Sequence, residues 1–342
     1  MKLCLYSDNH WSQYSSILRK RGDKYSIRLE NQIQSINWVM QLAEQEHCDA
    51  TVMLGDFFDK SELNAEEITA IKDVVWANIP NYFIAGNHEM GMADHSYSSI
   101  KLFNLLEGAK IFTSPQIICE DDVSEVIVLP YILESDRKSL SEYLPERNLK
   151  KRIILSHNDI AGIQMGRFIS EAGFSMDEIE SNCDLFINGH LHNGEVITQK
   201  IINIGNLTGA NFSEDASNYF HKAVILDTDT LEIEFIENPY AFNFYKIDMT
   251  KWIQFNGALQ IKPNSIVSIK CKSKNMEQIK TMMSECSNVI ESRITIEPEI
   301  QIVSENIQEE LTVDHLETFK QYVLNNFENT KELMEELGEV LK

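Results

Sequence analysis

The sequence lacks the features that mark secreted and membrane proteins. Its six cysteines are scattered without a CxxC pair, so they indicate buried cytosolic thiols and neither a disulfide framework nor a zinc knuckle. No apolar run approaches the roughly 18 residues that a membrane span needs. The chain starts directly in an apolar strand instead of a signal peptide. These absences predict a soluble, intracellular protein of the cytoplasm.

Positive charge is also scarce. Thirty Lys and Arg residues stand against 53 Asp and Glu residues, which gives a net charge of −23. Because a strongly acidic surface repels polyanions, this composition disfavours broad, unspecific nucleic-acid binding. Any polyanionic substrate must be held locally, by metal ions, by a partner protein or by the one dense basic cluster, at residues 19–24.

The pattern of elements predicts an α/β protein. At 342 residues and 43% hydrophobic content, the chain is long enough for one large domain and one small one. Strands alternate with helices up to residue 189, and short strands alone follow to residue 236, which predicts an α/β sandwich with a second sheet. The loop at 158–173 is expected to overhang the site. The predicted helices span residues 28–45, 64–77, 98–107, 137–144 and 175–182.

Two further segments follow the sandwich. Residues 237–303 contain a predicted strand (265–270), helix (276–286) and strand (292–296), which together make a small α+β unit. In residues 304–342, apolar side chains such as Leu316, Phe319 and Val323 recur at helical spacing, which predicts an amphipathic helical segment. Its apolar stripe either packs on its own domain or docks on a partner helix.

Five apolar stretches end in Asp, Asn or His, in an order that is hard to obtain by chance. Carboxylate, imidazole and amide ligands without thiolate suit Mn²⁺, Fe²⁺ or Zn²⁺, bound two at a time about 3.5–4 Å apart. Such a pair of ions supports phosphoester hydrolysis, and Asp56 is expected to bridge it. The five endings are Asp8-x-His10, Gly55-Asp56, Gly86-Asn87-His88-Glu89, His157 and Gly189-His190-Leu191-His192.

In this order the motifs resemble those of the calcineurin-like metallophosphoesterase superfamily, over about residues 1–236. The resemblance implies a four-layer αββα sandwich and two divalent ions, Mn²⁺ in the first place, with Fe²⁺ or Zn²⁺ as alternatives. It also implies that His88 contacts the phosphate as a general acid, and that Glu89 orients His88. The implied ligands are Asp8, His10 and His192 for the first ion, Asp56 as the bridge, and Asn87, His157 and His190 for the second.

The motif Gly55-Asp56-Phe57-Phe58-Asp59 resembles the Gly-Asp-x-Phe-Asp of SbcD-type DNA-repair nucleases, and the phosphatase pattern Gly-Asp-x-Val-Asp-Arg-Gly is absent. The plan is similar too, with a phosphoesterase domain (1–236), a capping domain (237–303) and a docking segment (304–342), as in phage forms. The resemblance implies a DNA exonuclease or endonuclease, the nuclease subunit of an SbcCD-like repair or recombination complex. Its implied partners are DNA, an SMC-like ATPase of the SbcC type and a second copy, through helices near residues 64–107.

Several alternatives stay open on the sequence. Phe57 and Phe58 either stack an unpaired base or pack under the metal loop. The protein is alternatively a nucleotide phosphodiesterase or phosphatase of the same superfamily, or a scaffold without activity. The other histidines, at 47, 95, 221 and 315, are expected to be structural or solvent-facing. The candidates for DNA phosphate contacts are Arg19, Lys20, Arg21 and Lys24, with a flexible polar loop as the alternative.

Overall fold

Two six-stranded sheets lie at the centre of the structure, a computed structural model that describes residues 1–92, 95–165, 168–249 and 261–297. All described residues belong to one compact unit. The first sheet has the order β16-β15-β1-β2-β3-β4. Its strands are β1 (Lys2–Tyr6), β2 (Ala50–Leu54), β3 (Asn81–Ile84), β4 (Ala109–Phe112), β15 (Lys222–Asp227) and β16 (Ile233–Glu237).

The second sheet has the order β13-β14-β12-β7-β6-β5. It packs against the first through a shared core, in which Leu5 and Val52 of one sheet meet Val126 and Leu155 of the other. Burying both inner faces in this way is what a layered sandwich requires. Its strands are β5 (Gln116–Glu120), β6 (Ser124–Leu129), β7 (Lys151–Ser156), β12 (Leu185–Asn188), β13 (Glu195–Val196) and β14 (Ile201–Asn203).

Helices cover the outer faces of both sheets. Helix α1 (Ile27–Gln45) begins at Ser26, whose side chain accepts a hydrogen bond from the Leu29 amide, and its apolar face packs on the first sheet. Short α2 (Ala65–Ala70) follows β2, and α3 (Met176–Asn182) packs on the second sheet through Ile179. The predicted αββα arrangement is therefore confirmed.

Three predicted helices differ from the structure. The helix expected at 64–77 ends at Ala70 and continues only as a 3₁₀ turn, Ile71–Asp73, because β-branched Val74 and Val75 follow. The segment expected at 98–107 is a 3₁₀ helix, Ser99–Leu105. The helix expected at 137–144 is wrong. Two short 3₁₀ turns, Glu134–Asp136 and Leu140–Tyr143, stand there, and Pro145 keeps the preceding residue extended.

The predicted overhanging loop, residues 158–173, contains short paired strands. No period is recognisable in this stretch because two-residue strands show no alternation. Strands β8 and β11 pair in parallel, and β9 and β10 pair antiparallel. Their bounds are β8 (Ile160–Ala161), β9 (Gln164–Met165), β10 (Phe168–Ile169) and β11 (Phe174–Ser175).

A third sheet follows the sandwich. Its three parallel strands are β17 (Asn243–Asp248), β18 (Ser265–Lys272) and β19 (Val289–Glu297), and α4 (Met276–Glu285) packs on them. The predicted strand-helix-strand unit is present, but β17 was not predicted. The domain boundaries stay predictions, and the amphipathic tail at 304–342 lies outside the described residues.

The cysteines are unpaired, and the described helices are not membrane spans. All six cysteines are free, and four of them are buried. Among the described residues, no helix combines the length and the hydrophobicity that crossing a bilayer requires.

Candidate metal centre

The predicted ligands meet where parallel strands end. Strands β1, β2 and β3 are parallel neighbours in the first sheet, and β7 and β12 in the second. Because the carboxyl ends of such strands share an edge, the loops that follow them converge. Three groups of side chains there have ligand atoms within 4.8 Å of one another. The groups are Asp8 with His10 and His192, His10 with Asp56 and His88, and Asp56 with His157 and His190.

Several buried polar atoms at this edge have no hydrogen-bond partner in the described part of the chain. Among them, Asp8 Oδ1 and His10 Nε2 lie 3.9 Å apart. A buried polar atom left unpaired costs free energy, so native proteins rarely leave two together. A cation held between a carboxylate oxygen and an imidazole nitrogen satisfies both, so these residues fit a metal ion.

Four of the seven predicted ligands have left-handed backbone. The φ angles are 50° at Asp8, 47° at His10, 54° at Asp56 and 73° at His190. Residues other than glycine rarely adopt this conformation, and it costs on the order of 1–3 kcal/mol where the structure enforces it. Backbone hydrogen bonds enforce it here, from the Asp8 amide to the carbonyl of residue 55 and from the His10 amide to the Asp56 carbonyl. Such strain turns the side chains toward a common point.

Glycine is required at two of the motifs by close packing. A Cβ atom at Gly86 would lie 2.2 Å from Asp56 Oδ1. At Gly55, where φ is +88°, it would lie 2.3 Å from the ring of His157. No side chain fits at such distances, so both glycines serve the close approach of the metal loops.

Each half of the centre has a histidine that is fixed by a carboxylate. In the first half, His192 Nδ1 lies 2.9 Å from Glu214 Oε1. In the second half, His190 Nε2 lies 2.9 Å from Asp159 Oδ1. When one ring nitrogen donates to a carboxylate, the other is left unprotonated and free to ligate a metal. The free atoms are therefore Nε2 of His192 and Nδ1 of His190.

The second half contains a further histidine, which is fixed by a backbone carbonyl. His157 is buried, and its Nδ1 donates to the carbonyl of Leu54. Its Nε2 then lies 3.1 Å from Asp56 Oδ2 and 3.3 Å from Asn87 Oδ1. His190 Nδ1 lies 3.1 Å from the same Asn87 oxygen. The four side chains predicted to surround the second ion thus face one another through the atoms that can bind it.

The comparison with protein families decides the class. The profile of the calcineurin-like phosphoesterases matches residues 1–194. The chain belongs to this family. The phosphoesterase is therefore a metal-dependent hydrolase of a family that uses two metal ions, and its Asp and His clusters are the candidates for holding them.

Solved structures of similar fold are distant in sequence. TT1561 of Thermus thermophilus is 11% identical, with a TM-score of 0.39 over 69% of this chain and 98% of that one. A dimetal phosphatase from Danio rerio is 12% identical, with a TM-score of 0.41 and the same coverage. Purple acid phosphatase PPD1 from yellow lupin is 12% identical, with a TM-score of 0.45 over 69% of this chain and 51% of that one. No curated protein matches the phosphoesterase in sequence.

Charge within the phosphoesterase site is tightly paired. Burial opposes ionisation of Asp56, but the adjacent His157 outweighs it and holds the pKa of the carboxyl well below its usual range. Burial likewise lowers the pKa of His157, but Asp56 outweighs it and raises the pKa to about 9. Before metal binds, this pair is therefore a carboxylate and an imidazolium at neutral pH. An ion held by Nε2 of His157 would therefore have to replace the proton on that nitrogen.

His88 lies at the accessible rim of the site. Its side chain is 42% exposed, and its Nδ1 donates to the Asp59 carbonyl at 3.0 Å. Its amide donates to Asp56 Oδ1 at 2.9 Å, which ties it to the carboxylate that is predicted to bridge the ions. An exposed imidazole beside a metal site is well placed for proton transfer to a substrate.

Glu89 holds two of the metal loops through backbone amides, and its expected orienting effect on His88 stays a prediction. It is fully buried, its Oε1 accepts from the Phe58 amide at 3.1 Å and its Oε2 from the Gly86 amide at 2.9 Å. Burial, with the charge of Asp56, raises its pKa to about 8. Glu89 therefore clamps the loops after β2 and β3 together. The His88 ring itself contacts the Asp59 carbonyl and, edge-on at 4.6 Å, the ring of His10.

The phenylalanines of the second motif are part of the core. Phe57 and Phe58 are both 0% exposed. Phe57 packs edge-on against Phe103 at 4.8 Å, and Phe58 stacks on the same ring at 5.4 Å. The packing interpretation is confirmed, and stacking of an unpaired base on these two rings is wrong because neither is accessible.

The basic segment at residues 19–24 is largely neutralised. Arg19 is exposed, and the other three basic side chains predicted to contact DNA form ion pairs within the chain. None of the three carboxylate partners is a candidate metal ligand among the described residues. The pairs are Lys20 with Glu291 at 3.6 Å, Arg21 with Glu66 at 2.5 Å and Lys24 with Asp73 at 2.5 Å.

Proposed function

We propose that this phosphoesterase is a DNA nuclease, the nuclease subunit of an SbcCD-like repair or recombination complex. The observation that carries the proposal is the third sheet, which packs on the segment after the first metal motif. Leu18 lies in one apolar cluster with Phe242, Phe244 and Ile266. A sheet attached there offers contacts beyond the scissile phosphate, which a polymer can use and a small ester cannot.

The residues of the site divide the work of hydrolysis. Asp8, His10 and His192 would hold one ion, Asn87, His157 and His190 the other, and Asp56 both. Bound metal ions supply a water of lowered pKa and neutralise charge on the phosphoryl oxygens. His88 is anchored through Nδ1, so that its Nε2, when protonated, can deliver a proton to the leaving oxygen.

The acidic surface makes a partner part of the proposal. With a net charge of −23 and most of the basic segment ion-paired, the isolated chain is expected to bind DNA weakly. An SMC-like ATPase of the SbcC type would supply most of the DNA affinity. Tight binding of DNA by the isolated protein in a gel-shift assay would contradict this division.

A second copy of the chain is the other proposed partner. A groove of about 480 Å³ separates the 3₁₀ turn after α2 from the 3₁₀ helix Ser99–Leu105, and its lining is almost entirely apolar. Leu105 on its edge is 86% exposed. Apolar surface of this kind supports a homodimer through residues 64–107, and sedimentation of Leu105→Asp against the unchanged protein tests it.

The test of the proposed function compares two substrates. The purified protein with Mn²⁺ is given end-labelled DNA and, separately, a small chromogenic phosphodiester, with His88→Ala as the control. Cleavage of DNA that His88→Ala abolishes is expected. Turnover of the small ester with DNA left intact, even when the ATPase partner is added, would contradict it.

One observation favours a second candidate. Because three basic side chains near the first motif are ion-paired, little free positive charge remains there for a DNA backbone. A nucleotide phosphodiesterase needs no such surface, since its substrate fits within the metal site. The small-ester outcome of the same experiment would establish this alternative.

A further inference from the structure

A buried carboxylate lies behind the first half of the metal centre. Glu214 is 0% exposed, and its Oε1 lies 2.9 Å from His192 Nδ1. Its other oxygen, Oε2, accepts a hydrogen bond from the Ala210 amide at 2.8 Å. Glu214 belongs to none of the five motifs, and sequence reasoning did not single it out.

Only a carboxylate satisfies both neighbours at once. The Ala210 amide is a donor, and His192 Nδ1 must also be a donor if Nε2 is to stay free for a metal. A glutamine in this position accepts from one of them and turns an N–H toward the other. If that N–H faces the imidazole, the ring proton moves to Nε2, which blocks the nitrogen that is left for a metal ion.

The backbone around Glu214 is held by the third sheet. The Gly209 amide donates to the Phe242 carbonyl at 3.2 Å, and the Ala216 amide donates to the Phe244 carbonyl at 2.8 Å. Strand β17 and the residue before it therefore fix the loop on both sides of Glu214. A carboxylate with so little freedom can set the orientation of the ring that it contacts.

We infer that Glu214 is a positioning residue, which selects the metal-binding tautomer of His192 and thereby sets the affinity of the first half of the centre. The inference deepens the proposed function, since it concerns the metal pair on which hydrolysis rests. It does not depend on whether DNA is the substrate. The second half has its own carboxylate, Asp159 at His190, so the two halves can be weakened separately.

The experiment is a calorimetric titration of the metal-free protein with Mn²⁺. For Glu214→Gln we expect the ion in the half that contains His192 to bind about 10- to 100-fold more weakly. The ion in the half that contains His190 should keep its affinity. Asp159→Asn should show the converse. Glu125→Gln is the matched control, because Glu125 is equally buried but pairs with Arg152 at 2.6 Å, so it should destabilise the fold and leave both affinities unchanged.

A double-variant cycle separates positioning from a structural role. In a His192→Ala background, Glu214→Gln should cause no further loss of Mn²⁺ affinity, because its effect passes through the ring. If Glu214→Gln does not fold, Glu214→Asp replaces it, with the same expected loss at one ion. Unchanged affinity in Glu214→Gln or Glu214→Asp, equal weakening of both ions, or full additivity with His192→Ala would overturn the inference. None of these readouts requires DNA cleavage, so a failure of the proposed function is recognised separately.

Discussion

Two polar segments that are close together in the chain, residues 8–10 and 19–24, differ in burial and in pairing. In the first, Asp8 and His10 are buried with strained backbone, and polar atoms of both lack hydrogen-bond partners among the described residues. In the second, the basic side chains are exposed, and three of the four already pair with carboxylates. Density of charge alone does not mark a site. Buried polar atoms without hydrogen-bond partners, which cost folding free energy, are the better indicator of a site.

The largest expected effect comes from removing the carboxylate that is shared by the two halves of the metal centre. Asp56→Asn should lower hydrolysis of a chromogenic phosphodiester by at least about 10³-fold, because it removes the carboxylate that faces both halves of the centre. Mn²⁺ binding should weaken in the same variant. Asp73→Asn, which removes the carboxylate that pairs with Lys24, is the matched control and should keep full activity. If Asp56→Asn kept a tenth of the activity, the claim that hydrolysis depends on the metal centre would be contradicted.

Next in size is the loss of the accessible imidazole. His88→Ala should lower kcat by about 10²- to 10⁴-fold, as removal of a general acid does, while two Mn²⁺ ions still bind. His88 also lies in one of the three ligand groups, so calorimetric stoichiometry is the decisive measurement. If the variant binds one ion only, His88 is a ligand and the assignment of roles is wrong.

The pH dependence of metal binding sharpens the comparison further. The pKa of His157 is raised to about 9, so at neutral pH an ion must displace its proton. Apparent Mn²⁺ affinity should therefore rise as pH increases from about 6.5 to about 9 and then level off. The stability of the metal-free protein should change in the opposite direction. Because the pKa of His157 is higher in the folded than in the unfolded protein, protonated His157 stabilises the fold at pH values below its unfolded pKa, and this stability is lost as pH rises through about 9. Affinity that stays flat across this range would contradict the assigned ion pair.

The smallest effect is expected in the paired segment. Arg21 is half-exposed and forms an ion pair with Glu66. Exposed ion pairs of this kind contribute little to the stability of the fold. Arg21→Gln should leave Tm nearly unchanged and raise the KM for DNA less than about threefold. A tenfold rise in KM at low salt, absent at high salt, would instead place Arg21 on the DNA backbone.

The sequence predicts the centre better than its surroundings, for a physical reason. Ligands such as Asp56 and His157 follow buried parallel strands, and the shared edge of a sheet brings them together without further information. Glu214 is different, because it reaches His192 from an irregular loop that is held in place by the start of the third sheet. The ion pairs of Arg21 and Lys24 join residues 45 and 49 positions apart, which no local pattern reveals.

The same limit applies to Glu89 and to the helices. Comparison with related enzymes at this position suggested that Glu89 orients His88, whereas only the fold shows that its carboxylate accepts from the Phe58 amide in the neighbouring loop. Apolar spacing predicted helix beyond Ala70, but the valines at 74 and 75 favour extended backbone, and Val74 is extended. Tertiary contacts therefore determine the partners of Glu89, and local β-branched residues limit the helix after Ala70.

The most direct test of the account is anomalous diffraction from crystals of the protein grown with Mn²⁺. Two peaks are expected at the strand ends, one among Asp8, His10 and His192 and one among Asn87, His157 and His190, with Asp56 touching both. A single peak, or peaks elsewhere, would contradict the claim that these residues form a two-metal hydrolytic centre.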